Sequence, residues 1–270
     1  MTTDNTLKAR KTPNYIRFFA PLALQATSQA LSYPLVAMVA SRGHGGPLNL
    51  AGLAQSNALM YMLGTFGFGL ITAGMMFGKT REGYHQFRAV TLSLGLLVTL
   101  VQALLCIPAA AHLLFGRLIG LPPSIEHPAA LTFLATVPLQ FLFFLRIPFQ
   151  VVMYNASATG KASLATIMRI LLTAVLSPLF CLADAVGPLW AVVCLSFPVG
   201  LEVAASAWLA RPYLARLKAS ATAPTKKEIF LFNLPLSIGG YLLALSSILL
   251  GAFIARAASC LLYTSDAADE

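Results

Sequence analysis

The sequence has 270 residues, of which 58% are apolar and 10% are charged, and its formal net charge is +9. A soluble globular domain carries about 25% charged residues, so this composition excludes an ordinary soluble domain. The mean hydropathy of +0.77 indicates a protein of the lipid bilayer. Its basic residues are distributed as in a membrane protein, so no nucleic acid partner is expected.

Seven apolar stretches are long enough to cross the bilayer as α-helices, which requires about 20 residues each. The polar residues 1–14 are expected to form a cytoplasmic lead-in. The segment from Ala111 to Pro128, which has few charges and contains the adjacent prolines Pro122 and Pro123, is expected to form a loop. The sequence therefore predicts an all-α polytopic membrane protein with seven transmembrane helices. The predicted spans are about residues 15–40, 49–77, 89–110, 129–154, 163–183, 188–210 and 229–255.

The first span is interrupted by Pro21 and carries a polar stripe that includes Gln25 and Gln29. Polar groups in hydrocarbon need partners inside the protein, so this stripe either contacts substrate or packs against other helices. Pro21, together with Pro138 and Pro148 of the fourth span, is a candidate helix hinge, because proline removes a backbone hydrogen bond and kinks a helix.

The seventh span repeats the first. Residues 230–256 align with residues 16–42 so that Pro235 falls on Pro21, and both segments end on an arginine. The two copies begin six spans apart, which is the pattern of a duplicated helical unit.

This repeat predicts the domain organisation. Residues 15–210 would form a six-helix N-lobe, residues 211–228 a basic cytoplasmic linker and residues 229–259 the first helix of a truncated C-lobe. Residues 260–270 are polar and acidic and match the translation of a sequencing adapter, so we expect the natural sequence to stop near Ser259 and the chain to be an N-terminal fragment.

The charges of the loops predict the orientation. Thirteen Lys and Arg residues fall on the side of the N-terminus and three on the opposite side. By the positive-inside rule the N-terminus is cytoplasmic, in the inner (plasma) membrane of the cell. A seven-helix receptor, whose N-terminus lies outside, is disfavoured.

Three charged residues lie well inside spans: Arg146, Arg169 and Glu202. Each is roughly seven or eight residues from the cytoplasmic end of its span, which is about 10–12 Å at 1.5 Å per residue. Isolated charges at this depth are expensive and usually pair or line a wet path. We expect Glu202 to lie between the two arginines, which leaves a net positive site. The alternative is that both arginines extend to the cytoplasmic headgroups.

Neither an enzyme nor a metal protein is expected. One buried Glu does not provide the converging groups that acid-base or metal catalysis requires. The four histidines fall in or near loops, and the three cysteines before the adapter segment have no CxxC spacing. No cofactor is expected.

The sequence resembles the MATE-type and related transporters of the multidrug, oligosaccharidyl-lipid and polysaccharide (MOP) flippase superfamily. The resemblance rests on a Phe-x-x-Pro-Leu motif that enters the first and seventh spans (residues 18–22 and 232–236), a Gly-rich second span and the basic loop of residues 78–88. It implies two six-helix bundles that face each other across a central cavity and work by alternating access.

Two branches of that superfamily remain as alternatives. Cation-coupled drug exporters commonly carry a carboxylate in the first or seventh helix, and both spans lack one here. Arg146 and Arg169 suit an anionic or amphipathic solute better, as in a lipid-linked oligosaccharide or polysaccharide flippase or in the relatives of the progressive ankylosis protein that export small polyvalent anions. A non-transporting scaffold or assembly subunit is the alternative of another class. The expected partners are the bilayer, a small-molecule or lipid-linked substrate and, in a coupled exporter, a cation.

Overall fold

The computed structural model describes Ala23 and residues 31–266, which contain helices and turns but no β-strand. Six helical segments in this part of the chain are long and apolar enough to cross a membrane. The predicted all-α polytopic class is therefore confirmed. The predicted lead-in and most of the first span lie outside the described residues, and with them three candidates: Pro21, Gln25 and Gln29.

The helices are named here in chain order. They are α1 (Leu31–Ser41), α2 (Gly46–Gly64), α3 (Leu70–Phe77), α4 (Arg81–Leu105), α5 (Pro108–Ala111), α6 (Pro123–Ala135), α7 (Val137–Asn155), α8 (Thr159–Leu182), α9 (Pro188–Leu214) and α10 (Lys226–Asp266). A 3-10 turn, Thr65–Gly67, separates α2 from α3, and a π-helical segment, His112–Ile119, follows α5.

Local sequence explains where the helices begin. Proline occupies the first or second position of α2, α5, α6, α7 and α9, where its missing N–H costs no hydrogen bond and its fixed φ suits a helix. The start of α4 uses a different device. The Thr80 hydroxyl accepts a hydrogen bond from the backbone N–H of Gly83 at 3.1 Å, as an N-cap residue does.

The second predicted span is one apolar stretch whose helix is broken in the middle by the 3-10 turn. The 3-10 turn between α2 and α3 lies against α7, with Gly67 facing Phe144. A methyl group on Gly67 would come within 2.6 Å of the Phe144 ring. Glycine is therefore required at this position for the broken helix to pack closely on α7.

The prediction of a loop from Ala111 to Pro128 is wrong. Most of this segment is helical, because the π-helical segment buries Phe115 and Ile119 in the core and α6 begins at Pro123. The scarcity of charge that made the segment look like an unusual loop reflects this burial. The predicted fourth span is divided accordingly: α6 packs along α2, and the chain turns at Thr136 into α7.

Helix α7 is central to the bundle, since it packs against α3, α4, α8 and α9. Helix α10 packs on the broken pair α2 and α3. The linker before α10 is fastened to the start of α4, where the backbone N–H of Arg81 donates to the carbonyl of Lys218 at 3.0 Å. The backbone N–H of Ser220 donates to Glu82 Oε2 at 2.7 Å.

Candidate functional site

Three charged residues from three helices meet inside the bundle. Arg146 of α7 donates from Nη1 to both carboxylate oxygens of Glu202 in α9, each at 3.0 Å. Arg169 of α8 places its Nη1 3.5 Å from Glu202 Oε2. The structure thus brings together the three intramembrane charges identified in the sequence, with the carboxylate between the two guanidinium groups.

Glu202 is completely buried. Besides the arginines it has a neutral partner, because the Thr166 hydroxyl of α8 donates to Glu202 Oε1 at 2.6 Å. A buried carboxylate without partners would be very costly, whereas each oxygen of this one is engaged. The arginines are almost as enclosed: the exposed fraction of the side chain is 12% for Arg146 and 4% for Arg169.

Local sequence positions this cluster. The face of α8 that meets α9 carries small buried hydroxyl residues at helical spacing, and Arg169 lies on the same face. The small hydroxyl residues let the two helices approach closely. On α7, Arg146 lies one turn after Phe143, whose ring centroid is 5.4 Å from the guanidinium carbon, a favourable distance for a cation–π contact. The hydroxyl residues of that face are Thr159, Ser163, Thr166, Thr173 and Ser177.

Both arginines line a cavity of about 730 Å³. Its wall is formed by α1, α2, the 3-10 turn, α3, α7, α8, α9 and α10, and it is mostly apolar and aromatic. Glu202 does not line it and lies behind the guanidinium groups. The wall of the cavity therefore carries a cationic patch, and the Glu202 carboxylate that partly balances this charge is buried behind it.

The charge of this patch is not balanced. Two guanidinium groups share one carboxylate, and the polar contacts among the described residues use only Nη1 of each arginine. The Nε atoms of Arg146 and Arg169 are buried and have no hydrogen-bond partner. The N–H groups of Nη2, which no contact of the described residues uses, are thus left over for an anion, and in a low-dielectric site their attraction for it is strong.

The candidate hinge prolines that the structure describes differ in position. Pro138 is the second residue of α7, directly after the turn at Thr136, whereas α7 continues as a helix through Pro148. One side chain holds the turn at Thr136 through two hydrogen bonds. Gln102 of α4 donates from Nε2 to the carbonyl of Phe133 at 3.1 Å and to the hydroxyl of Thr136 at 3.0 Å.

Sequence reasoning missed the uncharged polar groups of the site. Thr166 lies one turn before Arg169 on α8, so this spacing was a usable signal. Asn57 and Gln140, which line the cavity, are the kind of intramembrane amide that could also have been considered. Among the described residues no group of three or more His, Cys, Asp or Glu side chains is arranged to hold a metal ion.

No protein-family model matches the sequence, and no curated protein matches it. Several solved structures are similar to it, and two of them are transporters with informative descriptions. One is a MOP superfamily transporter from Pyrococcus furiosus Vc1 (DSM3638), with a TM-score of 0.63 and 17% identity over 86% of this chain and 52% of that one. That transporter is described as having a binding pocket of reversed polarity that suggests a different function.

The other is a multidrug resistance MATE family transporter of the MOP superfamily in an inward-facing conformation. Its TM-score is 0.61 and its identity is 17%, over 87% of this chain and 56% of that one. The chain thus spans about half the length of these two transporters.

The helices and the buried charge cluster define a multi-pass α-helical membrane protein with an internal polar site. More particularly, the chain has the fold of the MATE-like transporters of the MOP superfamily. The resemblance of the chain to MATE-like transporters is therefore confirmed for its fold, while the arrangement of two facing six-helix bundles stays a prediction.

Proposed function

We propose that this chain is part of a secondary transporter that works by alternating access and binds an anionic or amphipathic solute at Arg146 and Arg169. The observation that carries the proposal is the cationic patch on the wall of the 730 Å³ cavity, with its single carboxylate fully buried behind it. The fold of the two solved transporters supports the general class.

The geometry suggests how an anion would bind. In the empty site Glu202 holds both arginines in place and lowers the cost of burying them. An entering phosphate or carboxylate would accept hydrogen bonds from the N–H groups that Glu202 leaves over, since guanidinium binds either oxyanion with paired donors. Binding requires no covalent chemistry on the solute. Glu202 itself is engaged by both arginines, which argues against its use as a cation site.

A lipid-linked oligosaccharide or polysaccharide flippase is the second candidate. It is favoured by the mostly apolar and aromatic wall of the cavity, which suits a substrate with an apolar part as well as an anionic one. The basic residues of the loops support a cytoplasmic N-terminus in the plasma membrane for either candidate.

The test uses the full-length transporter that contains this chain, reconstituted in liposomes, and the amphipathic anion carboxyfluorescein as a probe, with the amphipathic cation rhodamine 6G for comparison. We expect movement of carboxyfluorescein and its loss in Arg146→Gln and Arg169→Gln, because each change removes a guanidinium group from the cavity wall. Lys161→Gln is the matched control, since it removes an exposed cation from α8 outside the cavity.

Two results would contradict the proposal. One is unchanged carboxyfluorescein movement in both arginine variants. The other is movement of rhodamine 6G without carboxyfluorescein. If neither probe moves and no anion binds, the scaffold alternative is favoured.

A further inference from the structure

A second group of polar side chains lines the same cavity away from the arginines. It consists of Ser32 of α1, Asn57 of α2 and Gln140 of α7. All three are enclosed, with exposed fractions of 5%, 9% and 2%. The three residues come from three helices, so their convergence on one cavity is a property of the fold and not of a local sequence motif.

Two of these side chains can be placed along the helices that line the cavity. Gln140 precedes Arg146 by six residues, which is about 9 Å along α7 at 1.5 Å per residue. Its Nε2 lies against α2, where a methyl group on Gly64 would be 3.2 Å away. Asn57 precedes Gly64 by seven residues, or about 10 Å along α2. The cavity therefore has an anion-binding end at the arginines. Its uncharged polar end begins at Gln140, about 9 Å farther along α7.

The polar groups of this end are not satisfied by the protein. The Ser32 hydroxyl is buried and has no hydrogen-bond partner. Among the contacts of the described residues, none involves the side-chain amides of Asn57 or Gln140. By contrast, the neighbouring amide of Gln102 donates two hydrogen bonds, to Phe133 and Thr136. The chain thus engages the amide nitrogen of Gln102, whose Oε1 has no partner, and leaves both amide atoms of Asn57 and Gln140 without a partner among the described residues.

Unsatisfied buried polar groups are costly and call for an explanation such as a ligand. A side-chain amide offers donors and an acceptor, and a serine hydroxyl can do both. Groups of this kind complement hydroxyl and amide groups, which also donate and accept. Apolar ligand atoms at this end would leave the three side chains unpaired.

We propose that Ser32, Asn57 and Gln140 form a second subsite that hydrogen-bonds the uncharged part of the solute. The solute is therefore an anion whose body carries hydroxyl or amide groups, rather than an anion with a purely hydrocarbon body. This inference rests on the proposed function, because the anionic end of the solute is placed at Arg146 and Arg169.

The test compares two phosphate monoesters of equal charge and similar ring size. Glucose 1-phosphate carries hydroxyl groups on its ring, and cyclohexyl phosphate does not. Binding of each is measured by calorimetry on the purified protein in lipid nanodiscs. We expect the wild-type protein to bind glucose 1-phosphate about tenfold or more tightly, since a site built for hydroxyl groups discriminates strongly against an analogue that lacks them.

Variants assign that preference to the subsite. Gln140→Met and Asn57→Leu keep the side-chain volume and remove the polar atoms, so each should reduce the preference severalfold and leave cyclohexyl phosphate binding within about twofold. Gln150→Met is the matched control, because Gln150 is a buried glutamine of α7 that does not line the cavity. Arg146→Gln should weaken both phosphates. Thermal unfolding of each variant verifies that it folds.

Equal affinity of the wild-type protein for the two phosphates would overturn the subsite and leave the anion site intact. A preference that persists unchanged in Gln140→Met and Asn57→Leu would overturn it as well, and so would binding of neither phosphate. The proposed function is decided separately by the carboxyfluorescein measurement, so failure of one can be distinguished from failure of the other.

Discussion

At the scale of single residues, the charge cluster depends on a division of roles. Arg146 and Arg169 face the cavity, and Glu202 is enclosed behind them. A buried ion pair is weak support for stability by itself, because desolvation offsets much of the Coulomb attraction. What the cluster supplies is a fixed arrangement in which two cations share one anion, so the surplus charge is available on one side only.

Thr166 contributes to that arrangement through its 2.6 Å hydrogen bond to Glu202. Thr166→Val keeps the shape and removes the donor, so we expect the free energy of unfolding to fall by about 1.5–3 kcal/mol, the range for a hydrogen bond to a charged group. The measurement is equilibrium unfolding in mixed detergent micelles.

Thr173→Val is the matched control for this change. Thr173 is equally buried on α8, but its hydroxyl donates to the carbonyl of Arg169 in its own helix at 3.0 Å, and such bonds add little to helix stability. Equal losses in the two variants would show that Thr166 has no special role in holding the carboxylate.

The sequence was sufficient to identify the three charges and to predict that they meet, because charges at one depth in hydrocarbon have few other partners. It was insufficient for the uncharged subsite. A Ser, Asn or Gln in a transmembrane helix can equally well join helices, as Gln102 does. Only the positions of the neighbouring helices decide which amide faces a cavity.

At the scale of helices, the breaks are the informative features. Helix α10 is attached at the break between α2 and α3, where Asn233 Nδ2 and Ser237 Oγ both donate to the carbonyl of Phe66, at 2.8 and 2.9 Å. The 3-10 turn frees this carbonyl from regular helical bonding, and the two donors of α10 satisfy it. The broken helix and α10 also line the cavity together.

Gly69 allows this attachment. A methyl group on Gly69 would lie 2.7 Å from Cβ of Leu236 and 2.8 Å from Oδ1 of Asn233. We expect Gly69→Ala to push α10 away from the break and to lower the unfolding free energy by about 1–3 kcal/mol, the usual cost of overpacking. Thermal or detergent unfolding measures this loss.

Gly239→Ala is the control within α10, since a methyl group there meets nothing within 4 Å. It should be neutral or slightly stabilising, because alanine is a better helix former than glycine by up to about 1 kcal/mol. A loss in Gly239→Ala as large as that in Gly69→Ala would indicate a general intolerance of α10 to substitution and would contradict the packing argument.

The hydropathy of the sequence predicted which segments are apolar enough to cross the bilayer, but it did not predict where the helices within those segments break. The 3-10 turn of the second span and the turn at Thr136 both lie inside apolar sequence, and composition does not change there. The segment from Ala111 to Pro128 illustrates the opposite error, because its two adjacent prolines suggested a loop whereas the second of them starts α6. A proline marks the start of a helix as readily as its end.

At the scale of the whole molecule, the chain has the fold of about half of each solved transporter. The division into an N-lobe and the first helix of a C-lobe stays a prediction from the internal repeat. The linker at the proposed boundary is not a free connection, because Glu82 and the backbone of Arg81 bind it to the start of α4. The linker is therefore held at one point along its length, next to the start of α4.

The orientation and this fixed linker are tested by one experiment, in which trypsin is added to membrane vesicles of either orientation. The linker contains cleavage sites at Arg216 and Lys218, and the positive-inside bias places them in the cytoplasm. Cleavage is therefore expected in inside-out vesicles and not in right-side-out vesicles. The reverse pattern would invert the proposed topology.

The same cleavage rate reports on the attachment of the linker. Glu82→Ala removes the acceptor of the Ser220 N–H, so the linker should open more often and be cut severalfold faster, because proteolysis follows the population of the open form. Glu228→Ala is the matched control: its carboxylate accepts from the backbone N–H of Thr225 at the start of α10, which lies beyond the attached part of the linker. Equal acceleration of cleavage by both changes would mean that loss of any nearby acid speeds cleavage, through charge or helix fraying. Glu82 would then not be what holds the linker.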